Sequence, residues 1–294
     1  MEKYLNIFFE SYKGYFNYLW REITHFHWEN YFYGLIFVSL IVWTLEIIFP
    51  WRKNQKIFRK DFWLDTFYMF FNFFLLNLIV LIFLSNATEA LFNDLLAKVG
   101  FSVESFQVFD VATLPFGIGL LLFFLISDFI QWNTHRLLHR LPFLWNFHKL
   151  HHSVKEMGFA AHLRYHWMEP IVYKSLLYIP LAIIGGFDVE AVAIVHFSAL
   201  AIGHLNHANL GWDYGFLKYI FNNPKMHIWH HARVLPKKAQ YGVNFGISLS
   251  VWDYLFKTNH IPHDGRDIDL GFEDDQNFPK KFISQILYPL KTKS

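Results

Sequence analysis

Four stretches of this 294-residue chain are apolar over lengths that reach or approach a bilayer crossing: residues 31–49, 62–84, 114–132 and 170–203. A membrane helix needs about 20 mostly apolar residues to cross the hydrocarbon. The last stretch is interrupted by Gly185-Gly186-Phe187-Asp188 and reads as two short crossings joined by a tight turn, which makes four to five helical legs. Pro50 ends the first leg, and Pro115 sits near the start of the third, where proline is tolerated. Composition agrees: 54% of residues are hydrophobic and 17% are charged, whereas an ordinary soluble domain carries about 25% charged. The competing reading is core helices of a soluble protein, and the length of the legs argues against it.

Charge orients the legs. Residues 51–60 hold Arg52, Lys53, Lys56, Arg59 and Lys60 with no acid, whereas 85–113 hold Glu89, Asp94, Glu104 and Asp110 against Lys98 alone. Positive loops stay cytoplasmic. The third leg then delivers 133–169 to the cytoplasmic side, and the last two legs return 204–294 to it. All of the 17 histidines except His25, His27 and His196 fall in those two segments. The expected protein is an all-α integral membrane protein with a cytoplasmic helical cap. Residues 1–30 read as an interfacial amphipathic segment without a cleavable signal, 31–260 as the membrane-embedded domain, and 261–294 as a polar tail. A net charge of +2 gives no case for nucleic acid as a partner.

The chain has no cysteine, which excludes disulfides, thiolate metal sites and cysteine nucleophiles. Histidine is the surplus among residues that do chemistry. His135 and His139 lie four apart, about 40° around a helix, and share a face. His148, His151 and His152 form His-x-x-His-His, spread over an arc of about 100°, and His227, His230 and His231 repeat it. Such a helix presents imidazoles to two neighbouring metals at once. The paired histidines, His151 and His152, are expected to reach different ions. Surface histidines on polar helix faces are the bland alternative, and three spaced clusters in a polar-poor chain weigh against it. Eight ligands supply four per metal. His207 and His166 extend the set to ten, five per metal, while His162 and His204 are left as outer-layer or solvated groups. No catalytic residue beyond the ligands is assigned.

Imidazole suits iron, zinc and copper. There is no His-Glu-x-x-His of a zinc protease, and the paired Glu-x-x-His motifs of soluble di-iron bundles are absent, Glu22–His25 being a single occurrence. An all-nitrogen two-metal site at a membrane face points to oxygen activation on a lipid. No Gly-x-Gly-x-x-Gly is present, so electrons are expected from a separate donor.

The motifs HRLLH (135–139), HKLHH (148–152) and HIWHH (227–231) resemble the three histidine boxes of the fatty acid hydroxylase / sterol desaturase superfamily of membrane non-haem di-iron enzymes. The likeness extends to Asp128 ahead of the first box, to LRYHWMEP with Arg164, His166 and Glu169, to His207 and Asn209 in NHANL, and to WDYLFKT at 252–258. It covers about 115–260. His162 stands where that family often has Thr or Ala, and His204 is not a usual position. The resemblance implies two iron ions, with zinc as a substitute in purified protein. It implies O2-dependent attack on an unactivated C–H of a lipid taken from the bilayer, ending as alcohol or alkene according to substrate placement. It also implies an external cytochrome b5-like, ferredoxin or rubredoxin donor with its reductase. Two other functions compete. A zinc-dependent membrane lipid hydrolase needs fewer histidines and no reductant. A metal or haem carrier would place paired histidines on the membrane legs, where only His196 lies.

Overall fold

The computed structural model describes residues 2–27, 30–78, 82–239 and 241–290. Helix dominates them. α1 (Glu2–Thr24) meets α2 (Tyr31–Ile48) at Asn30, whose side chain caps α2 by accepting from the Tyr33 N–H. α3 (Phe62–Phe70) continues into a π-helical turn, Phe71–Leu75, and α4 (Ile82–Lys98) packs back on α1. α5 (Phe116–Arg140) and α6 (Pro142–His152) are separated by Leu141 alone. Pro142 fits the first position of α6, where no helical N–H is required. α7 (Met168–Ile183) and α8 (Val189–His207) follow, with Asp188 capping α8 by accepting from the Glu190 N–H. α9 (Pro224–His230), α10 (Val251–Leu255) and α11 (Phe282–Ile286) are short helices of the cap.

Three of these helices, α2, α5 and α8, are long and apolar enough to cross a membrane. α2 buries Leu35, Ser39 and Val42 along one stripe and turns Phe37, Leu40, Ile41 and Ile48 outward. A helix that is apolar all round suits lipid on its outer face. The other expected legs are less regular. Residues 62–84 divide among α3, the π-helical turn and the start of α4, and 79–81 lie outside the described residues. α7 has 16 residues, about 24 Å of helix against a hydrocarbon core of about 30 Å.

The two ends of the helical array are distinct. At one end the turn after α7 is tight, with Gly186 at φ 78°, and Ile184–Gly185 pairs in parallel with Phe109–Asp110. At the other end the basic segment 51–60 meets the histidine-bearing segments. Trp51 N–H donates to Asn209 O at 3.0 Å, and Gln55 Nε2 donates to Met157 O at 2.7 Å. Arg59 and Arg164 both bind Asp65, at 2.6 and 2.9 Å.

The segment beyond 260, expected as a polar tail, places several apolar side chains in the cap. Leu270, Phe272 and Phe278 are buried, and Leu270 packs with Trp51, Ile228 and Trp229. Gln285 accepts from the Tyr68 hydroxyl at 3.0 Å. The apolar residues are too widely spaced for a helical or strand period, so the sequence alone did not reveal that they are part of the cap.

Candidate metal centre

α5 carries its chain out of the apolar layer and ends with His135 and His139 on one face. The sharp turn at Leu141 folds α6 back, so His148, His151 and His152 face them. His207 ends α8 and His227 and His230 lie on α9, with His231 at its C-terminal cap. A distant segment locks these helices in register. Asp128 on α5 accepts from Ser248 N–H at 3.0 Å and from Trp252 Nε1–H at 2.8 Å. Asp253 accepts from Trp132 Nε1–H at 3.1 Å and from the N–H groups of Phe245 and Gly246 at 2.9 and 2.7 Å. Burial raises the Asp253 pKa, and the bonds from Thr258 and Trp132 oppose that shift. Asn244 adds bonds to Met226 O and His260 O, at 2.9 and 2.8 Å.

The histidines gather into two adjacent clusters. His135, His139, His148, His152 and His230 form one, and His151, His207, His227 and His231 form the other; within each, one nitrogen per ring lies within 4.8 Å of the rest. The fold therefore separates His151 from His152, and His230 from His227 and His231. The clusters touch where the rings of His152 and His231 stack, 4.4 Å between centroids.

The donors suit a transition metal. Outward-facing Nδ1 atoms donate to fixed acceptors: His135 to Phe245 O at 2.9 Å, His230 to Val243 O at 2.8 Å, His151 to Arg164 O at 3.2 Å, His207 to Gly203 O at 2.8 Å. His148 Nδ1 faces Glu169 Oε2 at 2.8 Å. Such bonds fix the tautomer and leave Nε2 free to take a metal. Nε2 of His135, His148 and His230 is buried without a partner. Elsewhere nitrogens converge on one another, His139 with His152 at 3.1 Å, His151 with His207 at 3.2 Å and His207 with His227 at 2.9 Å. Two nitrogens held about 2.1 Å from one ion at near right angles lie roughly 3 Å apart. Metal binding needs neutral imidazole. Burial pushes both His148 and His151 down to about 3, with positive charge on His148 adding to the effect at His151. Aromatic rings wall the first cluster: Phe245 stands 5.3 Å from His139, and Trp145 stands 5.2 Å from His152.

Nine of the ten residues expected as ligands are in the clusters, and His166 is not. Its Nε2 donates to Ile286 O at 2.9 Å and its Nδ1 accepts from Met168 N–H at 3.2 Å. Both nitrogens are thus engaged away from the clusters. The expectation had counted His166 among the ligands; its position here follows from the packing of residues near 286, which the local His-x-x-x-His spacing does not encode. Glu169 and Arg164, singled out only by resemblance, hold His148 and His151. The supports on Asp65, Asn244 and Asp253 were not foreseen as part of the centre. A lone acid in an apolar leg was a visible signal for Asp65.

Comparison with known proteins adds independent findings. The fatty acid hydroxylase family model matches residues 120–258. Ornithine lipid hydroxylase OlsE of Rhizobium tropici is 32% identical over 179 residues, 61% of this chain and 52% of that protein. Alkylglycerol monooxygenases of Caenorhabditis elegans and Homo sapiens are each 30% identical, over 45% and 46% of this chain and 25% and 29% of those proteins. The chain thus spans about half the length of the first of these relatives (52%) and less of the others. No solved structure matches.

Proposed function

We propose that the chain, which matches the fatty acid hydroxylase family model over residues 120–258, belongs to the fatty acid hydroxylase / sterol desaturase superfamily and is a membrane-bound non-haem di-iron oxygenase that hydroxylates a lipid. The observation that carries this reading is the pair of buried, all-nitrogen clusters at the end of the apolar helix α5. Bound iron would supply activation of O2 and oxidation of an unactivated C–H bond. The chain's own residues do the rest. The five residues His135, His139, His148, His152 and His230 would hold one ion, and the four residues His151, His207, His227 and His231 would hold the other. Glu169 and the carbonyls of Phe245, Val243, Arg164 and Gly203 keep each imidazole turned inward. Phe245 and Trp145 keep water from the first cluster. The lipid enters from the bilayer beside α5, and electrons arrive from a separate cytochrome b5-like, ferredoxin or rubredoxin donor. The relatives named for lipid hydroxylation support a lipid substrate, and the ornithine lipid hydroxylase OlsE directs the first search to ornithine lipids.

The test is metal analysis of anaerobically purified protein, followed by turnover on extracted lipids with reductant and isotopically labelled dioxygen. The expected result is two iron ions per chain and one labelled oxygen atom gained by the lipid. Loss of two hydrogens instead would identify a desaturase. Zinc in both sites with cleavage of the lipid by water, independent of O2 and reductant, would overturn the reading in favour of a hydrolase.

The metal site is proposed to face the cytoplasm. Charge bias supports this, as does the docking of the basic segment 51–60 on the histidine-bearing cap through Arg59, Asp65 and Arg164. Single-cysteine labelling is expected to find 51–60, 135–169 and 204–290 in the cytoplasmic compartment and Asn93 and Glu104 in the other. Asn93 and Lys149 reporting one compartment would contradict it.

A further inference from the structure

The second cluster holds four imidazoles against five in the first, and one more histidine stands directly against it. His162 lies on the 3-10 turn Phe159–Leu163, with its ring centroid 5.2 Å from that of His207. Within the cluster, the rings of His151 and His207 are 5.0 Å apart. The His162 ring rests on the backbone of Gly203, where an added Cβ would fall 2.2 Å from both its Cε1 and its Nε2. Gly203 is one helical turn before His207, and its carbonyl accepts from His207 Nδ1. The missing side chain at 203 thus makes room for an imidazole beside a cluster member.

Behind His162 runs a hydrogen-bond chain with one arrangement that frees Nε2. Ser39 Oγ lies 3.4 Å from Met69 Sδ and 3.1 Å from His204 Nε2. With its proton on the sulfur it accepts from His204 Nε2–H, the His204 Nδ1 lone pair accepts from His162 Nδ1–H at 2.9 Å, and His162 Nε2 is unprotonated, as a metal ligand must be. His135, His151, His207 and His230 are in the same state, each donating outward through Nδ1.

We propose that His162 is the fifth nitrogen ligand of the second metal, in the role expected of His166, and that His204 and Ser39 are positioning residues that fix its tautomer from α2. This rests on the two-metal reading of the clusters. It makes the sites alike, five nitrogens each, and it gives the membrane helix a direct mechanical link to one ion through Ser39 and His204.

The full chain, purified in detergent and stripped of metal, is titrated with cobalt(II) while metal content and visible absorption are followed. Wild-type protein is expected to bind two ions. His162→Ala is expected to keep the first and to bind the second at least about 10–100-fold more weakly, the loss typical even of outer-layer changes. Its absorption should shift to the more intense form of a lower coordination number, and free imidazole should restore affinity, which a merely structural defect would not allow. His166→Ala should titrate as wild type. Gly203→Ala, which pushes the ring away, and Ser39→Ala should weaken the same ion, the second by less. Wild-type titration by folded His162→Ala would overturn the proposal. If that variant does not fold, wild-type affinity in both Gly203→Ala and Ser39→Ala overturns it. His151→Ala serves as control: if it too binds both ions normally, the two-metal reading itself fails.

Discussion

His151→Ala and His152→Ala are each expected to abolish lipid oxidation, and each to lose a different ion. The two residues are adjacent in sequence, yet the fold assigns them to different clusters. His152 Nε2 meets His139 Nε2 at 3.1 Å, while His151 Nε2 meets His207 Nε2 at 3.2 Å. Removing an outer support of a metal ligand typically costs about 10–100-fold in affinity or activity, and removing a ligand itself costs at least that. Since the proposed chemistry needs both ions, either loss should bring turnover below detection while the protein stays in the membrane. His260→Ala, outside both clusters, should keep most activity. The measurement is metal per chain alongside product formation. Full metal content and turnover in either variant would end the assignment.

The second large effect is on stability. Asp65→Asn is expected to destabilise the fold by about 3–5 kcal/mol, the usual result of removing one partner from a buried ionic group. Asp65 is fully buried and accepts from both Arg59 and Arg164, themselves 5% and 2% exposed. The carboxamide cannot neutralise two guanidinium groups that the fold keeps from water. The effect should also reach the metal centre, because Arg164 O accepts from His151 Nδ1 and Arg164 Nη2 donates to Ser153 Oγ. Lys3→Ala, which breaks the exposed pair with Asp94, should leave stability nearly unchanged, because water and salt screen that pair. Denaturation of the two variants in detergent compares them. A change below about 0.5 kcal/mol for Asp65→Asn would show that water or a neighbouring carboxylate replaces it.

Much of this molecule was legible in the chain. Apolar length marks α2, α5 and α8 as spans, and the turn at Gly185–Asp188 falls where the break in apolarity put it. The three histidine motifs are local features of single helices, so their spacing sufficed to show that each could present imidazoles together. The short gap with Pro142 likewise announced the hinge between α5 and α6.

What the sequence could not determine is which nitrogens converge, because convergence is set between elements far apart in the chain. His166 has the same spacing to His162 that His139 has to His135, yet Ile286 takes its Nε2. His135 and His230 point inward because Phe245 and Val243 offer carbonyls, and Asp128 and Asp253 hold that segment against α5. Leu270, Phe272 and Phe278 show the same limit: no period in 261–290 announces their burial, and they are buried because a cap surface is there to receive them. Helical periodicity fixes the direction of a side chain on its own helix within a turn or two. The cluster that each imidazole joins is decided by packing and hydrogen bonds that exist only once the tertiary structure has formed.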